Sequence, residues 1–127
     1  MNTSNQVNQL VELVLKGQIL EAFDRFYAEN VSMQENQNPP TIGKAANRQR
    51  EIEFLGSVKE LHRNVARFIL VDGNRAAIGW LLEFTNHEGQ RLRLNQVALQ
   101  RWEDGQVVEE QFVYDPTSVA VQEAVLA

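Results

Sequence analysis

The spacing of apolar residues in the first quarter of the chain predicts two amphipathic helices. Ser4 or Asn5 is placed to cap the first, and Lys16-Gly17 ends it with a cation followed by a glycine. The second helix follows at once. Their apolar stripes comprise Val7, Leu10, Val11, Val14 and Leu15 in the first helix and Ile19, Leu20, Ala22, Phe23, Phe26 and Tyr27 in the second. Such stripes need a large apolar surface to cover.

The pattern changes after residue 30. Residues 31–34 predict a short strand, and the following asparagines with Pro39 and Pro40 predict a loop. A third helix is predicted from residues 41–44 to about residue 55. Because residues 47–51 are all polar, we expect this helix to lie on the surface.

From residue 60 the sequence predicts one long strand after another, at 61–71, 75–86, 91–102 and 106–115. Asp104-Gly105 between the last two is a strong hairpin signal. The element order predicts an α+β fold, in which a strongly curved antiparallel sheet wraps around three N-terminal helices and encloses a conical pocket. We expect residues 1–127 to form a single domain, with residues 116–127 as a short helix or a loose tail.

Composition narrows the classes of partner. The chain has 127 residues, a net charge of -5 and a pI near 5.0, which argue against a nucleic-acid or anionic membrane surface. With no cysteine, disulfides, thiolate metal sites and a cysteine nucleophile are excluded. The first residues do not resemble a signal peptide and no apolar run is long enough to span a membrane, so we expect a cytoplasmic protein.

Alternation along the last predicted strand indicates what the pocket contains. One face carries Val108, Glu110, Phe112 and Tyr114, and the other carries Val107, Glu109, Gln111 and Val113. The first set places the Glu110 carboxyl among large apolar groups, where burial would raise its pKa toward neutrality and suit it to proton transfer. The alternative is a structural ion pair of Glu110 with one of four arginines, Arg63, Arg67, Arg91 or Arg93.

Two further residues are candidates for acid–base chemistry. Glu35 lies in the loop at the expected pocket mouth, where it is either a general base or a solvated carboxylate that caps the next helix. His62 lies near the start of a long strand and would form a dyad with Glu110 or Glu35 if it faces inward; otherwise it is a surface residue.

The remaining candidates would contact a ligand. Trp80 and Phe84 share a strand face with Leu82 and are expected in the core or the pocket wall, together with Phe112 and Tyr114. Gln96 and Gln100 offer amide contacts to a ligand, or else lie on a polar dimer surface. The two histidines are far apart with no carboxylate at ligand spacing, so we expect neither a metal nor another cofactor.

The chain resembles the SnoaL-like family of the nuclear transport factor 2-like superfamily over essentially its whole length to Asp115. The motifs that carry the resemblance are Leu15-Lys16-Gly17-Gln18, Phe26-Tyr27-Ala28-Glu29-Asn30-Val31, Met33-Gln34-Glu35-Asn36 before Pro39-Pro40-Thr41-Ile42-Gly43-Lys44, and the run 101–115. The resemblance implies the cystatin-like α+β cone of polyketide cyclases and ketosteroid isomerases. These motifs are specific for fold and weak for activity.

In ketosteroid isomerases, a carboxylate base works with an oxyanion hole made of a tyrosine and a protonated acid. By ungapped matching, Glu35 is similar to the base, but Leu10 and Ala98 stand near the positions of the two oxyanion donors. Steroid isomerisation by that mechanism is therefore not expected. The resemblance implies a hydrophobic small molecule as ligand and either cofactor-free isomerase, cyclase, dehydratase or hydrolase chemistry or a non-catalytic binding or dimerisation module.

The outer face of the sheet predicts a homodimer. Its expected residues, Val97, Leu99, Val107, Gln111 and Val113, combine apolar and amide groups on the side away from the helices. Left exposed, they would form a larger apolar patch than monomers usually show.

Overall fold

The computed structural model describes residues 2–120, and within them three helices precede a run of long strands as the sequence predicts. The elements are α1 (Thr3–Leu15), α2 (Ile19–Phe26), β1 (Tyr27–Glu35), β2 (Thr41–Ile42), α3 (Lys44–Ser57), β3 (Val58–Asp72), β4 (Arg75–Asn86), β5 (Arg91–Glu103), β6 (Gln106–Val113) and a 3-10 turn (Pro116–Ser118). Asn2, not Ser4 or Asn5, caps α1, because its side chain accepts a hydrogen bond from the backbone N–H of Asn5.

The six strands form one curved sheet in the order β2-β1-β6-β5-β4-β3. The α+β fold is confirmed, but the sheet is mixed rather than wholly antiparallel, since β1 runs parallel to β6. A parallel pair needs a long connection, and α3 with the β3–β5 meander supplies it. The pairing places the first strand of the chain beside the last, which brings Tyr27 close to Glu110.

The boundary between α2 and β1 differs from the prediction at Tyr27. The helix ends at Phe26, and Tyr27 is extended (φ -97°, ψ 134°) and pairs with Val107 of β6. Its ring still stacks on Phe23, with centroids 4.6 Å apart. The aromatic residue therefore keeps its place in the core, while its hydroxyl is carried by the sheet. Residues 41–42 likewise form β2, and α3 begins later than predicted.

Extra residues in two strands curve the sheet and change which side chains face inward. In β3, His62 is one extra residue between the pairs Leu61–Phe84 and Arg63–Glu83. In β6, Val108 is extra between the pairs that Val107 and Glu109 make with β5. Bulges of this kind bend a strand and reset its alternation.

Because of the bulge in β6, the side chains before it lie on the opposite faces from those predicted. Val107, expected on the outer face, is fully buried, whereas Val108 is only half-buried. After the bulge the alternation resumes with Glu110 buried, as predicted. The hydrophobic core lies between the helices and the inner, concave face of the sheet. It includes Val7, Leu10, Phe26, Val31, Ile78, Ala98 and Trp102.

The start of the predicted tail is attached to the sheet. The backbone N–H of Arg93 donates to the carbonyl of Val119 over 2.7 Å, and Ala120 bridges Leu92. Residues 121–127 of the predicted tail lie outside the described residues. Within residues 2–120, no helix is long and apolar enough to cross a membrane.

Candidate functional site

A cavity of about 220 Å³ lies between the helices and the concave face of the sheet. Its walls are mostly apolar and aromatic, with polar groups from α3 and from β1, β3, β5 and β6. The polar or charged residues that line it are Gln34, Glu35, Asn47, Arg50, Glu51, Asn64, Gln96, Gln100 and Glu110. A largely apolar concavity with a few convergent polar groups is the usual form of a small-molecule site.

Glu110 on β6 is the most deeply buried carboxyl of the cavity wall, with 2% of its surface exposed. The Tyr27 hydroxyl donates to its Oε1 over 2.6 Å, and the Gln100 amide nitrogen donates to its Oε2 over 2.6 Å. Burial raises the pKa of Glu110 to about 7, although both hydrogen bonds favour the ionised form and oppose the rise. The carboxyl can therefore hold or release a proton near neutral pH.

The ion-pair alternative for Glu110 is wrong in the part of the chain that the structure describes. Arg91 and Arg93 instead bind Glu83 on the neighbouring strand, at 3.3 Å and 2.9 Å. Arg67 lies over the ring of Phe68. The partners of Glu110 are neutral donors, which leave its charge uncompensated.

Tyr27 experiences the reciprocal effect. Its phenol is buried beside Glu110, and burial, together with the neighbouring carboxylate, raises the tyrosine pKa well above its usual value. The hydroxyl therefore stays protonated over the whole physiological range and acts as a permanent donor to Glu110.

Helix α3 lies on the surface, as predicted, but it also turns polar residues toward the cavity. Asn47 is buried, and its amide donates to the carbonyls of Thr41 and Gly43, which fixes the start of the helix. One turn later, Arg50 and Glu51 line the cavity. Part of the polar pattern of α3 therefore faces the cavity, and composition alone does not distinguish a cavity from bulk solvent.

Glu51 is a second carboxyl with a raised pKa in the same cavity. Burial is the main cause; Arg50 lowers the pKa and Glu35 raises it further. Glu51 in turn raises the pKa of Glu110. Among residues 2–120, no side chain donates a hydrogen bond to Glu51, so its carboxyl is available to a bound molecule.

Glu35 lies at the end of β1 and lines the cavity, as predicted, but its carboxylate is already bound. Arg50 pairs with one oxygen at 2.9 Å, and the Tyr114 hydroxyl donates to the other over 3.3 Å. Tyr114 thus contacts the site through Glu35, and the pKa of the phenol is raised by burial and by that carboxylate.

His62 is not brought to either carboxylate. The bulge in β3 turns its ring toward β4, where Nε2 lies 2.7 Å from the Thr85 hydroxyl, and Nδ1 is 3.9 Å from Glu60. It is not part of the cavity wall. The expected dyad fails because a one-residue bulge reverses the alternation on which it depended.

Some of the predicted ligand-binding residues line the cavity, and others pack behind its wall. Trp80, Gln96 and Phe112 line the cavity, and Trp80 stands opposite Gln96 across β4 and β5. Phe84 is buried behind the wall, with its ring edge-on to that of Phe54 at 5.5 Å. Gln100 faces the cavity as well, so the alternative of a polar dimer surface is wrong for both glutamines.

The structure also identifies site residues that the sequence did not, namely Tyr27, Asn47, Arg50 and Glu51. For Tyr27, the sequence signal was the predicted strand that follows shortly after it, which indicated that the helix could end before this residue. For α3, the spacing of Asn47, Glu51 and Phe54 at i, i+4 and i+7 marks one helix face and was available in the sequence.

Known structures share this architecture. A protein of Mesorhizobium loti assigned as a SnoaL-like polyketide cyclase is 23% identical, with a TM-score of 0.80, over 90% of this chain and 100% of its own. AclR of Streptomyces galilaeus, assigned as a hydroxylase, is 16% identical with a TM-score of 0.74, over 91% and 90%. A Bacillus subtilis protein assigned as an isomerase is 15% identical with a TM-score of 0.73, over 91% and 88%.

At such identities these likenesses show the fold alone, an α+β domain in which three helices accompany one curved sheet. The family follows from the sequence: a family model described as a SnoaL-like domain matches residues 1–114, and the chain belongs to that family. No curated protein matches the chain. Because the three similar structures carry three different assignments, the chemistry must be argued from the cavity.

Proposed function

We propose that the protein performs cofactor-free acid–base chemistry on a hydrophobic small molecule held in the cavity. The observation that supports this most is the Glu110 carboxyl, buried in the cavity wall with a pKa near 7 and with only neutral donors as partners. General acid–base catalysis is most effective when the pKa of the group lies near the working pH. The reaction is of the isomerase, cyclase, dehydratase or hydrolase type.

Glu110 and Glu51 form the acid–base pair of this proposal. Both line the same cavity, both have raised pKa values, and their surroundings differ: Glu110 is held by two donors, while Glu51 lies near the Arg50 guanidinium. Two carboxyls in unlike surroundings can hold different protonation states, as proton transfer between two sites of a substrate requires.

Glu35 has a different role in the proposal. Its carboxylate pairs with Arg50 and accepts a hydrogen bond from Tyr114. In this proposal Glu35 therefore orients the Arg50 guanidinium and does not transfer a proton. The apolar and aromatic walls, including Phe23, Trp80 and Phe112, select a ligand with a hydrophobic body.

The experiment starts with capture of the ligand. Wild type and Leu94→Trp, which fills the cavity from a half-buried wall position, are incubated with fractionated metabolite extracts and examined by native mass spectrometry. A compound retained by wild type and lost from the filled variant is a cavity ligand. It is then incubated with wild type, Glu110→Gln and Glu51→Gln, and the products are analysed.

Conversion by wild type with a loss of 100-fold or more in Glu110→Gln supports the proposal. The second candidate, a non-catalytic binding module, predicts that the compound binds wild type and Glu110→Gln alike and is released unchanged. That result would overturn the catalytic proposal.

We also propose that a second copy of the chain covers the outer face of the sheet. Leu99 and Val113 are 43% and 44% exposed there, and Val97 pairs with Val113 across β5 and β6. Leu70, Ala77, Leu99 and Gln111 extend the face in one row across four strands. A patch of this kind is typical of an interface.

A further inference from the structure

Trp102 is buried at the end of β5, and its indole contacts the amide that contacts Glu110. The indole Nε1–H donates to Oε1 of Gln100 over 2.9 Å. The two residues are two positions apart on one strand, so both side chains point to the same face of the sheet. The Phe26 ring packs edge-to-face with the indole from the helix side, with ring centroids 5.8 Å apart.

This contact distinguishes the two ends of the amide. A glutamine side chain can present either its oxygen or its nitrogen to a neighbour, and the two orientations have almost the same shape. With Oε1 of Gln100 bound to the indole, Nε2 is the end that faces Glu110, 2.6 Å from Oε2. A buried indole N–H needs an acceptor, so reversing the amide would leave the donor unpaired.

We infer that Trp102 is a positioning residue for the proposed acid–base site: through Gln100 it fixes a donor, and not an acceptor, against Glu110. Its meaning for turnover rests on the proposed function, but its effect on Glu110 does not. Tyr27 supplies the second donor, so each oxygen of Glu110 accepts one hydrogen bond from the protein.

The arrangement has a consequence for the acid form of Glu110. Tyr27 and Gln100 both act as donors, and the acceptor atom of Gln100 is occupied by the indole. The acid form of Glu110 adds a third donor to this group. Its hydrogen either points at the Tyr27 oxygen, which requires that hydroxyl to turn its own hydrogen away, or points into the cavity, toward an oxygen or nitrogen acceptor of the bound molecule.

The test is the pKa of Glu110 in the free protein, followed by the carbon-13 shift of its side-chain carboxyl and assigned with Glu110→Gln. Trp102→Phe removes the N–H and lets the amide reverse, and an oxygen facing Glu110 favours the neutral acid. We expect the measured pKa to rise by about 1, a tenfold change in the proton equilibrium. Gln100→Met removes the donor with little change in shape and should raise the pKa as well.

The double variant, Trp102→Phe with Gln100→Met, separates a positioning role of Trp102 from a general disruption of the core. If Trp102 acts through Gln100, Trp102→Phe adds no further shift in the Gln100→Met background. Trp80→Phe is the matched control, because it removes the other tryptophan, whose indole lines the cavity, and should not raise the pKa of Glu110. Should Trp102→Phe fail to fold, benzothienylalanine at position 102 keeps the ring shape and replaces N–H by sulfur.

An unchanged Glu110 pKa in Trp102→Phe, or in the benzothienylalanine protein, would overturn the inference. So would an equal shift with and without Gln100. Neither measurement needs a ligand, so a negative result here leaves the proposed function to be decided by the turnover of the captured compound.

Discussion

The hydroxyl of Tyr27 lies 2.6 Å from Oε1 of Glu110, although the two residues are 83 positions apart in the chain. The parallel pairing of β1 with β6 brings them together, and both groups are removed from bulk water. A carboxyl in such a place is balanced between burial, which favours the neutral acid, and donors, which favour the carboxylate. The balance sets the pH at which Glu110 can transfer a proton.

Tyr27→Phe should shift that balance toward the neutral acid. The ring and its packing on Phe23 remain, while one donor to the carboxylate is lost. We expect the pKa of Glu110 to rise above its wild-type value of about 7, measured by carbon-13 NMR of the carboxyl. Any pH profile of turnover should move in the same direction.

Tyr114→Phe is the control for this change. Its hydroxyl donates to Glu35 and not to Glu110. The same titration in that variant should leave the Glu110 curve in place. Equal shifts in both variants would show that loss of a phenol alters the cavity generally, and the specific role of the Tyr27 contact would have to be abandoned.

The sequence predicted the helices, the meander and the inward face of Glu110 because each depends on a local period. Asp104 and Gly105, with φ of 50° and 76°, form the tight turn expected from that pair. Local chemistry also explains why the bounds of β4, residues 75–86, were predicted to the residue. The family resemblance is confirmed by the match over residues 1–114.

The contacts of the site could not be predicted, because they depend on bulges and on pairing between distant strands. A bulge at Val108 places Val107 on the inner face of the sheet and not on the outer face. Another bulge, at His62, turns that side chain away from the two carboxylates of the expected dyad. The parallel neighbour of β6 decides that Tyr27, and not an arginine, bonds to Glu110. Single-residue insertions of this kind leave no clear mark in a hydrophobic pattern.

Gly105→Val should destabilise the fold by about 1 kcal/mol or more, because residue 105 has φ of 76°, a conformation that a β-branched side chain strongly disfavours. A Cβ there would also lie 2.7 Å from the Gln6 side chain. Thermal and urea unfolding measure the change. The control is Gly56→Ala in α3, where φ is not positive and an added Cβ would meet no atom within 4 Å apart from its chain neighbours and the backbone of its own helix.

Gly56→Ala should stabilise by roughly 0.5 kcal/mol, since alanine is the better helix former. Opposite signs for the two glycine substitutions are the expected result. Unchanged stability in Gly105→Val would mean that the turn between β5 and β6 adopts another conformation in solution.

The proposed dimer is tested by placing a charge on the outer face of the sheet. Light scattering of wild type at micromolar concentration should give twice the chain mass, and Leu99→Asp should give the monomer, because a buried unpaired carboxylate opposes association. Ile42→Asp, at an exposed position of the far edge strand β2, should leave the mass unchanged. A monomeric wild type would rule out this assembly.

The pH dependence of stability provides the most direct test of Glu110. Its pKa is raised from about 4.5 to about 7 by folding, so the folded state binds this proton more tightly than the unfolded state. The stabilisation from the protonated acid is complete below pH 4.5 and is lost as pH rises through 7. Wild type should therefore lose roughly 2 kcal/mol between pH 5 and pH 8 relative to Glu110→Gln, which cannot ionise.

The glutamine variant retains the shape of the side chain but offers an acceptor to only one of the two donors, Tyr27 and Gln100, so it is expected to be the less stable protein at pH 5. The difference should shrink or reverse at pH 8. Glu109→Gln, at the exposed neighbouring position, is the control and should follow the wild-type curve. Parallel unfolding curves for wild type and Glu110→Gln from pH 5 to 8 would mean that Glu110 has an ordinary pKa, and the acid–base proposal would lose its main support.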